Sequence, residues 1–108
     1  MSEFGRTVGP ITAQDGRDHF LQQFAMFAGA GIHAGRTLGS TNADGSATAT
    51  YAWNQERDVR PEDIEATIYS AMGIDWTTIR YDDPFGRGFE YVPSAREGVY
   101  TPLHELWA

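Results

Sequence analysis

Apolar residues recur with helical spacing between residues 61 and 72, and this segment predicts the clearest element of the chain. Four apolar residues at positions i, i+4, i+7 and i+8 share one helical face: Ile64, Ile68, Ala71 and Met72. Pro61 suits the first helical position because the N–H that proline lacks has no helical partner there. Gly73 supplies a C-terminal stop. The pattern therefore predicts a helix over about 61–72 with one apolar stripe.

Shorter apolar or alternating runs predict strands elsewhere in the chain. Residues 20–28 are apolar enough for a buried strand that stops at the glycine-rich segment 29–31, and a short helical piece at the start of this segment is the alternative. The remaining predicted strands are short and lie at 36–41, 48–53 and 89–92. Between them we expect a turn at 42–45, a helical turn at 77–81 and an interruption of regular structure at 82–84. The aromatic segment at 98–107 has a pattern that does not assign it to helix or strand.

These elements predict an α/β fold class built from a few short strands and one helix. The chain has 108 residues, an ordinary length for one domain, and its 41% of apolar residues suffices for a modest core. We therefore expect a single domain over 1–108. Three or four short strands with one helix make a thin domain. We expect such a domain to pack against a larger structural partner.

Charge and composition exclude several classes of protein. The formal net charge is −7, and the eight basic residues, all arginine, form no cluster of the kind that binds nucleic-acid phosphates. The longest apolar stretch, at 25–32, is far shorter than the roughly 20 residues that cross a bilayer. The first six residues lack the pattern of an export signal, and the absence of cysteine excludes disulfides and thiolate sites.

One loop carries the strongest candidate chemistry. Asp18 precedes His19 in a polar, glycine-flanked segment, and a carboxylate beside an imidazole suits a divalent metal, or a base with its orienting group. Glu3 would join them if the intervening loop folds back. Arg6 and Arg17 flank this loop and would clamp an oxyanion. The alternatives are a structural hydrogen-bonding Asp–His pair and local ion pairs of the two arginines.

Other patterns favour structural roles. The glycine-rich segment 29–35 is not followed by the helix that a dinucleotide site requires, so it predicts a tight connection. The acidic residues between 56 and 65 lack the spacing of a calcium loop and predict a solvated helix N-terminus. His33 and His104 are predicted to lie at the surface.

The same segments, taken in order, resemble a known family. The matching pieces run along essentially the whole chain: Ser-Glu-Phe-Gly-Arg-Thr at 2–7, Gly-Arg-Asp-His-Phe at 16–20, the glycine-rich pieces at 28–35 and 39–45, the helix at 61–75, and Pro-Leu-His-Glu-Leu at 102–106. They resemble the C-terminal part of the group called domain of unknown function 1501, a sulfatase-like family in the alkaline phosphatase superfamily.

This resemblance implies an alkaline-phosphatase/sulfatase-like α/β sandwich, of which the chain would form a part. Relatives in the superfamily hydrolyse phosphate or sulfate esters with bound divalent metals. The resemblance implies that Glu3 occupies the place of a metal-binding aspartate and that His19, with Asp18, matches a later metal loop. It further implies that Arg6 or Arg17 contacts the oxyanion.

Two departures from the superfamily pattern shape the functional prediction. Glu3-Phe4-Gly5 stands where superfamily enzymes have Asp-His-Gly, so one imidazole ligand is missing. The nucleophile also belongs to a half that this chain does not contain, so whether the chain is an enzyme stays open. We therefore expect a C-terminal fragment that supplies part of a divalent-metal site, is inactive alone and pairs with a missing N-terminal half. The alternative is a non-catalytic module that self-associates through an exposed sheet edge.

Overall fold

The computed structural model describes residues 1–29 and 31–107, and it divides into two compact units. The first unit comprises Met1–Gly29 and Ala34–Asp58, and the second comprises the described residues of Ala30–His33 and Val59–Ala108. Ala30, in the predicted connection at 29–31, lies outside the described residues. The elements follow in chain order: β1 at Ser40–Thr41, β2 at Thr48–Thr50, α1 at Pro61–Ala71, β3 at Ile79–Arg80, β4 at Phe89–Glu90, and 3₁₀ turns at Ala95–Glu97 and His104–Leu106.

The predicted α/β class is confirmed in its coarse form. In the part of the chain that the structure describes, one α-helix accompanies two small antiparallel sheets, β1 with β2 and β3 with β4. The predicted helical turn at 77–81 is wrong, because Ile79 and Arg80 pair with Glu90 and Phe89 as a strand. The β-branched residues before Arg80 fit this extended pairing better than a helical turn.

The first unit begins with two extended segments, 2–7 and 18–24, that pair through their backbones. Ser2 N–H donates to Phe24 O at 2.8 Å, and Gly5 N–H donates to Gln22 O at 3.2 Å. Gly5 O in turn accepts from Phe20 N–H at 2.8 Å, so Leu21 has no counterpart and is displaced from the ladder.

The predicted buried strand at 20–28 is therefore wrong. None of it lies in a named strand, and three of its large apolar side chains stay exposed: Leu21 at 90%, Phe24 at 66% and Met26 at 81%. The backbone of this segment finds partners, but its apolar side chains are not buried. An apolar run forms a buried strand only where a second layer packs on it.

The hairpin of β1 and β2 confirms the predicted turn at 42–45. Gly45 N–H donates to Asn42 O at 3.1 Å, and the Asp44 carboxylate accepts from the Ser46 hydroxyl at 2.6 Å and the Ser46 N–H at 3.0 Å. Both hydrogen bonds stabilise the charged carboxylate and so hold the pKa of Asp44 below its ordinary value. The bond from the Ser46 hydroxyl has the larger effect. Turn chemistry of this kind is local, which is why the sequence pattern finds it.

The second unit is organised by α1, and here the predicted helix is confirmed, but its predicted apolar stripe is not the face that it buries. Ile68 and Met72 are exposed, and the buried residues of the helix are Asp63, Ala66 and Thr67. The helix thus turns a partly polar face inward. The predicted solvated helix N-terminus is wrong for Asp63, which is fully buried.

Two polar side chains of α1 bind the backbone of the C-terminal segment. The Asp63 carboxylate accepts from Arg60 N–H at 2.8 Å and from Thr101 N–H at 3.0 Å. Thr67 Oγ1 donates to Asp63 O at 2.6 Å and accepts from Leu103 N–H at 2.9 Å. Backbone donors buried against a helix need partners, and these two side chains supply them.

The core of the second unit is small. Its buried members are Ala66, Val92 and Ala95, and three aromatic side chains pack against them: Tyr69, Trp76 and Tyr100. Ala66 is fully buried, so the helix approaches the segment around Val92 closely at this point. The core therefore depends on α1 being held in register by the hydrogen bonds to residues 101–103.

Candidate functional site

All five residues predicted to form the site lie in the first unit, on or beside the paired segments 2–7 and 18–24, and all five are exposed. Arg6 and His19 form an antiparallel bridge. Thr7 N–H donates to Asp18 O at 3.0 Å on one side of this bridge, and Phe20 N–H donates to Gly5 O on the other. This is the pattern of a non-hydrogen-bonded pair, in which opposite side chains lie closest.

Arg6 and His19 share their face with an aromatic ring. The rings of Phe4 and His19 lie 3.9 Å apart with a tilt of 30°. The guanidinium carbon of Arg6 lies 5.6 Å from the centre of the Phe4 ring, within the range of a cation–π contact. We call the surface formed by Phe4, Arg6 and His19 the Arg6–His19 face.

Asp18 precedes His19 at the antiparallel bridge, where successive side chains alternate, so the Asp18 side chain is directed away from the face that carries His19. Within residues 1–29 and 31–107 there is no group of three or more histidine or acidic side chains placed to hold a metal ion. As a set, Glu3, Asp18 and His19 thus do not fit a metal site formed by the described residues.

Arg17 has a structural partner. Its Nη1 donates to Thr7 O at 2.8 Å, which ties the loop between the two paired segments back onto the first of them. The sequence also allowed an ion pair between Arg17 and a local carboxylate. In the structure the Arg17 side chain instead donates a hydrogen bond to the backbone carbonyl of Thr7. Arg17 therefore steadies the loop in which Asp18 and His19 lie.

A groove that the sequence does not suggest lies in the same unit. It has a volume of about 400 Å³, and its lining comprises Ser2, Glu3, Gly5, Gln22, Gln23, Phe24, Thr41 and Gly45. Gln22 Oε1 is buried and has no hydrogen-bond partner among the described residues. A buried acceptor without a donor costs about 1–3 kcal/mol of stability. No motif signals it, because a glutamine in an apolar run has no characteristic spacing.

The Arg6–His19 face has a defined chemical capacity. Arginine offers a planar fork of N–H donors that matches phosphate or sulfate oxygens, and histidine offers one imidazole nitrogen as proton donor, acceptor or ligand. Two side chains that can both be positive, placed opposite each other, repel unless an anion lies between them. The face is therefore suited to an oxyanion.

No helix among the described residues is long and apolar enough to cross a bilayer.

A family model described as a protein of unknown function, DUF1501, matches residues 1–97. Neither the curated proteins nor the solved structures contain a match to the chain.

Proposed function

The chain belongs to the DUF1501 family, and from this premise we propose that its first unit supplies an anion-contacting face to a phosphate- or sulfate-ester hydrolase of the alkaline phosphatase superfamily. The observation that carries the proposal is the pairing of Arg6 directly opposite His19, with both side chains exposed. The superfamily assignment rests on the resemblance of residues 2–7 and 16–20 to sulfatase-like sequences.

In this proposal each residue of the face has one task. The Arg6 guanidinium binds two oxygens of the ester anion and orients it. The His19 imidazole, held by the Phe4 ring, exchanges a proton with the ester or its leaving group. The divalent metal that the resemblance implies would need ligands beyond Glu3, Asp18 and His19, because the described residues contain no group of three or more histidine or acidic side chains placed to hold it.

Binding of inorganic phosphate tests the face. We expect phosphate to shift the side-chain NMR signals of Arg6 and His19, with a dissociation constant in the millimolar range that rises with salt. Arg6→Ala should weaken binding by about five-fold, since it removes a charge-assisted pair of hydrogen bonds. Arg36→Ala, which changes an arginine outside the face, serves as the matched control. Equal dissociation constants for Arg6→Ala and the control would refute the anion site.

The same samples test the catalytic part of the proposal. Because two side chains without a nucleophile or a convergent ligand set do not make an ester hydrolase, we expect no hydrolysis of p-nitrophenyl phosphate or sulfate by the chain alone. Turnover that Arg6→Ala or His19→Ala abolished would show that the chain is a complete enzyme.

A second candidate function is supported by a different surface. Leu21, Phe24 and Met26 are exposed apolar side chains that follow one another along the segment 20–28, and we call them the apolar row. A row of this kind is typical of a surface that packs against another chain. We propose as the alternative a non-catalytic module in which two copies associate through this row.

Sedimentation separates the two candidates. The alternative predicts a dimer at micromolar concentration. The double variant Leu21→Ser, Met26→Ser should convert this dimer to a monomer, because both substitutions remove exposed apolar area. Ile11→Ser changes an exposed apolar residue of the same unit outside the row and should leave the dimer intact. A chain that sediments as a monomer up to about 100 μM would exclude self-association of biological strength.

A further inference from the structure

Two aspartates of the first unit are each followed by a glycine, at Asp15–Gly16 and at Asp44–Gly45. In an Asp–Gly pair the glycine nitrogen can attack the aspartate side chain, because the glycine carries no Cβ that hinders the approach. The two pairs have the same covalent chemistry. A difference in their reactivity therefore comes from the structure around each carboxylate.

The carboxylate of Asp44 is held by the turn to which it belongs. It accepts from the Ser46 hydroxyl at 2.6 Å and from the Ser46 N–H at 3.0 Å. The nitrogen of Gly45, which would be the nucleophile, donates its hydrogen to Asn42 O at 3.1 Å. The bonds from Ser46 also lower the pKa of Asp44, which reduces the fraction of protonated carboxyl that the reaction consumes.

Asp15 lacks this protection. Its side chain is exposed, and no hydrogen bond or ion pair within the described residues engages its carboxylate. The nitrogen of Gly16 donates to the Thr12 hydroxyl at 3.3 Å, which is longer than an ordinary N–H···O hydrogen bond. Asp15 also has φ +57°, a left-handed conformation that is uncommon for an L-residue. Both reacting groups of this pair are therefore available, and an isomerised residue with one more rotatable backbone bond is not bound to this conformation.

We propose that Asp15–Gly16 is a site of spontaneous covalent modification, at which Asp15 isomerises to L-isoaspartate, whereas Asp44–Gly45 is held unreactive by Ser46. The Gly16 nitrogen forms a bond to the side-chain carboxyl carbon of Asp15, and the proton of this nitrogen leaves with the carboxyl hydroxyl as water. Water then opens the succinimide ring by breaking the bond between the nitrogen and the former backbone carbonyl carbon of Asp15. The main chain now runs through the Asp15 Cβ, and the mass of the protein is unchanged.

The modification lengthens the main chain by one methylene inside a tight turn. Thr12 N–H donates to Gly16 O at 2.7 Å, so the added atom lies within the loop that this hydrogen bond closes. The turn connects the paired segments 2–7 and 18–24, and we expect isomerisation to disturb their pairing at the end nearest the turn. The proposal depends neither on anion binding by the Arg6–His19 face nor on the hydrolase assignment.

Peptide mapping of the folded chain, aged at mildly acidic pH, tests the proposal. Trypsin cleaves after arginine, which places Asp15 in the peptide 7–17 and Asp44 in the peptide 37–57, each without a second aspartate. Isoaspartyl and aspartyl peptides have equal mass and separate by chromatography. We expect isoaspartate to form at least about ten-fold faster at Asp15 than at Asp44, a ratio that hydrogen bonds to a charged carboxylate are strong enough to cause.

Two variants test the reaction and the protection separately. Gly16→Ala adds a Cβ whose nearest neighbour is the Thr12 hydroxyl at 3.9 Å, so the fold accommodates it, and the methyl group should slow isomerisation of Asp15 by at least about five-fold. Ser46→Ala removes the hydroxyl bond to Asp44 and should raise the rate at Asp44 by about three-fold or more. In Ser46→Ala the rate at Asp15 is the internal control and should not change.

The same mapping in concentrated urea shows whether the structure causes the difference. Both pairs are Asp–Gly, so in the unfolded chain they should react within about three-fold of each other. Absence of isoaspartate at Asp15 in the folded chain, a rate at Asp44 that equals or exceeds the rate at Asp15, or a ratio that urea leaves unchanged would each overturn the proposal.

Discussion

Replacing Asp63 with alanine is expected to lower the free energy of unfolding of the second unit by about 3 kcal/mol, because two backbone donors lose their acceptor at once. One donor is Arg60 N–H at the start of α1, and the other is Thr101 N–H, which lies 38 residues beyond Asp63 in the chain. The carboxylate is fully buried, so water does not replace it without a rearrangement. Urea unfolding followed by the indole NMR signal of Trp76, which packs on the core of this unit, measures the change.

Two variants separate the hydrogen bonds from the charge. Asp63→Asn retains one acceptor oxygen and should lose about half as much stability as Asp63→Ala. Glu62→Ala removes a neighbouring carboxylate of the first helical turn and should cost less than about 1 kcal/mol, the usual contribution of the helix dipole. If Asp63→Ala costs no more than Glu62→Ala, the hydrogen bond to Thr101 does not hold the C-terminal segment.

The helix itself was predictable because its signals are local. Pro61 at its start and Gly73 after its end mark its bounds without any knowledge of the tertiary structure. The face that it buries was not predictable in the same way. An apolar stripe favours Ile68 and Met72, whereas the partner of the helix is an extended segment whose N–H groups need acceptors, so the polar Asp63 and Thr67 lie inside.

The strands show the same division between local and distant causes. The turn between β1 and β2 follows from Asn42, Asp44 and Gly45, which are close in sequence and act through their own hydrogen bonds. The apolar segment 20–28 reads as a buried strand, but burial depends on what packs against it, and Leu21 and Met26 remain exposed. Hydropathy alone does not distinguish an apolar run that is covered from one that is not.

The sequence predicts which residue types form the candidate site better than it predicts which of these residues lie together in space. Asp18 and His19 are adjacent in the sequence, and adjacency suggests a shared site, but neighbours in an extended segment point to opposite faces. Arg6 and His19 are 13 positions apart and meet only because segments 2–7 and 18–24 pair in one particular register.

Replacing Gly39 with alanine is expected to destabilise the first unit by about 3 kcal/mol. Gly39 has φ +76°, a left-handed conformation that costs an L-residue about 1–2 kcal/mol. A Cβ at this position would also lie 3.0 Å from Thr50 O and 3.1 Å from the backbone of Ala52, which are main-chain atoms that cannot move aside separately. The added methyl therefore forces β2 away from β1, and the pairing of Ser40 with Thr50 is lost.

Gly35→Ala isolates the steric part of this effect. Gly35 has a similar φ of +71°, but an added Cβ meets nothing within 4 Å, so only the conformational strain of about 1–2 kcal/mol applies. The indole N–H of Trp53 donates to Arg57 O at 2.8 Å in the same unit, and its NMR signal follows unfolding there. A loss for Gly39→Ala that exceeds the Gly35→Ala loss by 1 kcal/mol or more, on the order expected for overpacking, would show that β1 and β2 meet as described. Equal losses would show that the backbone of Thr50 and Ala52 does not approach Gly39. The position of Thr41, which follows Gly39 by two residues and lines the groove, would then also be wrong.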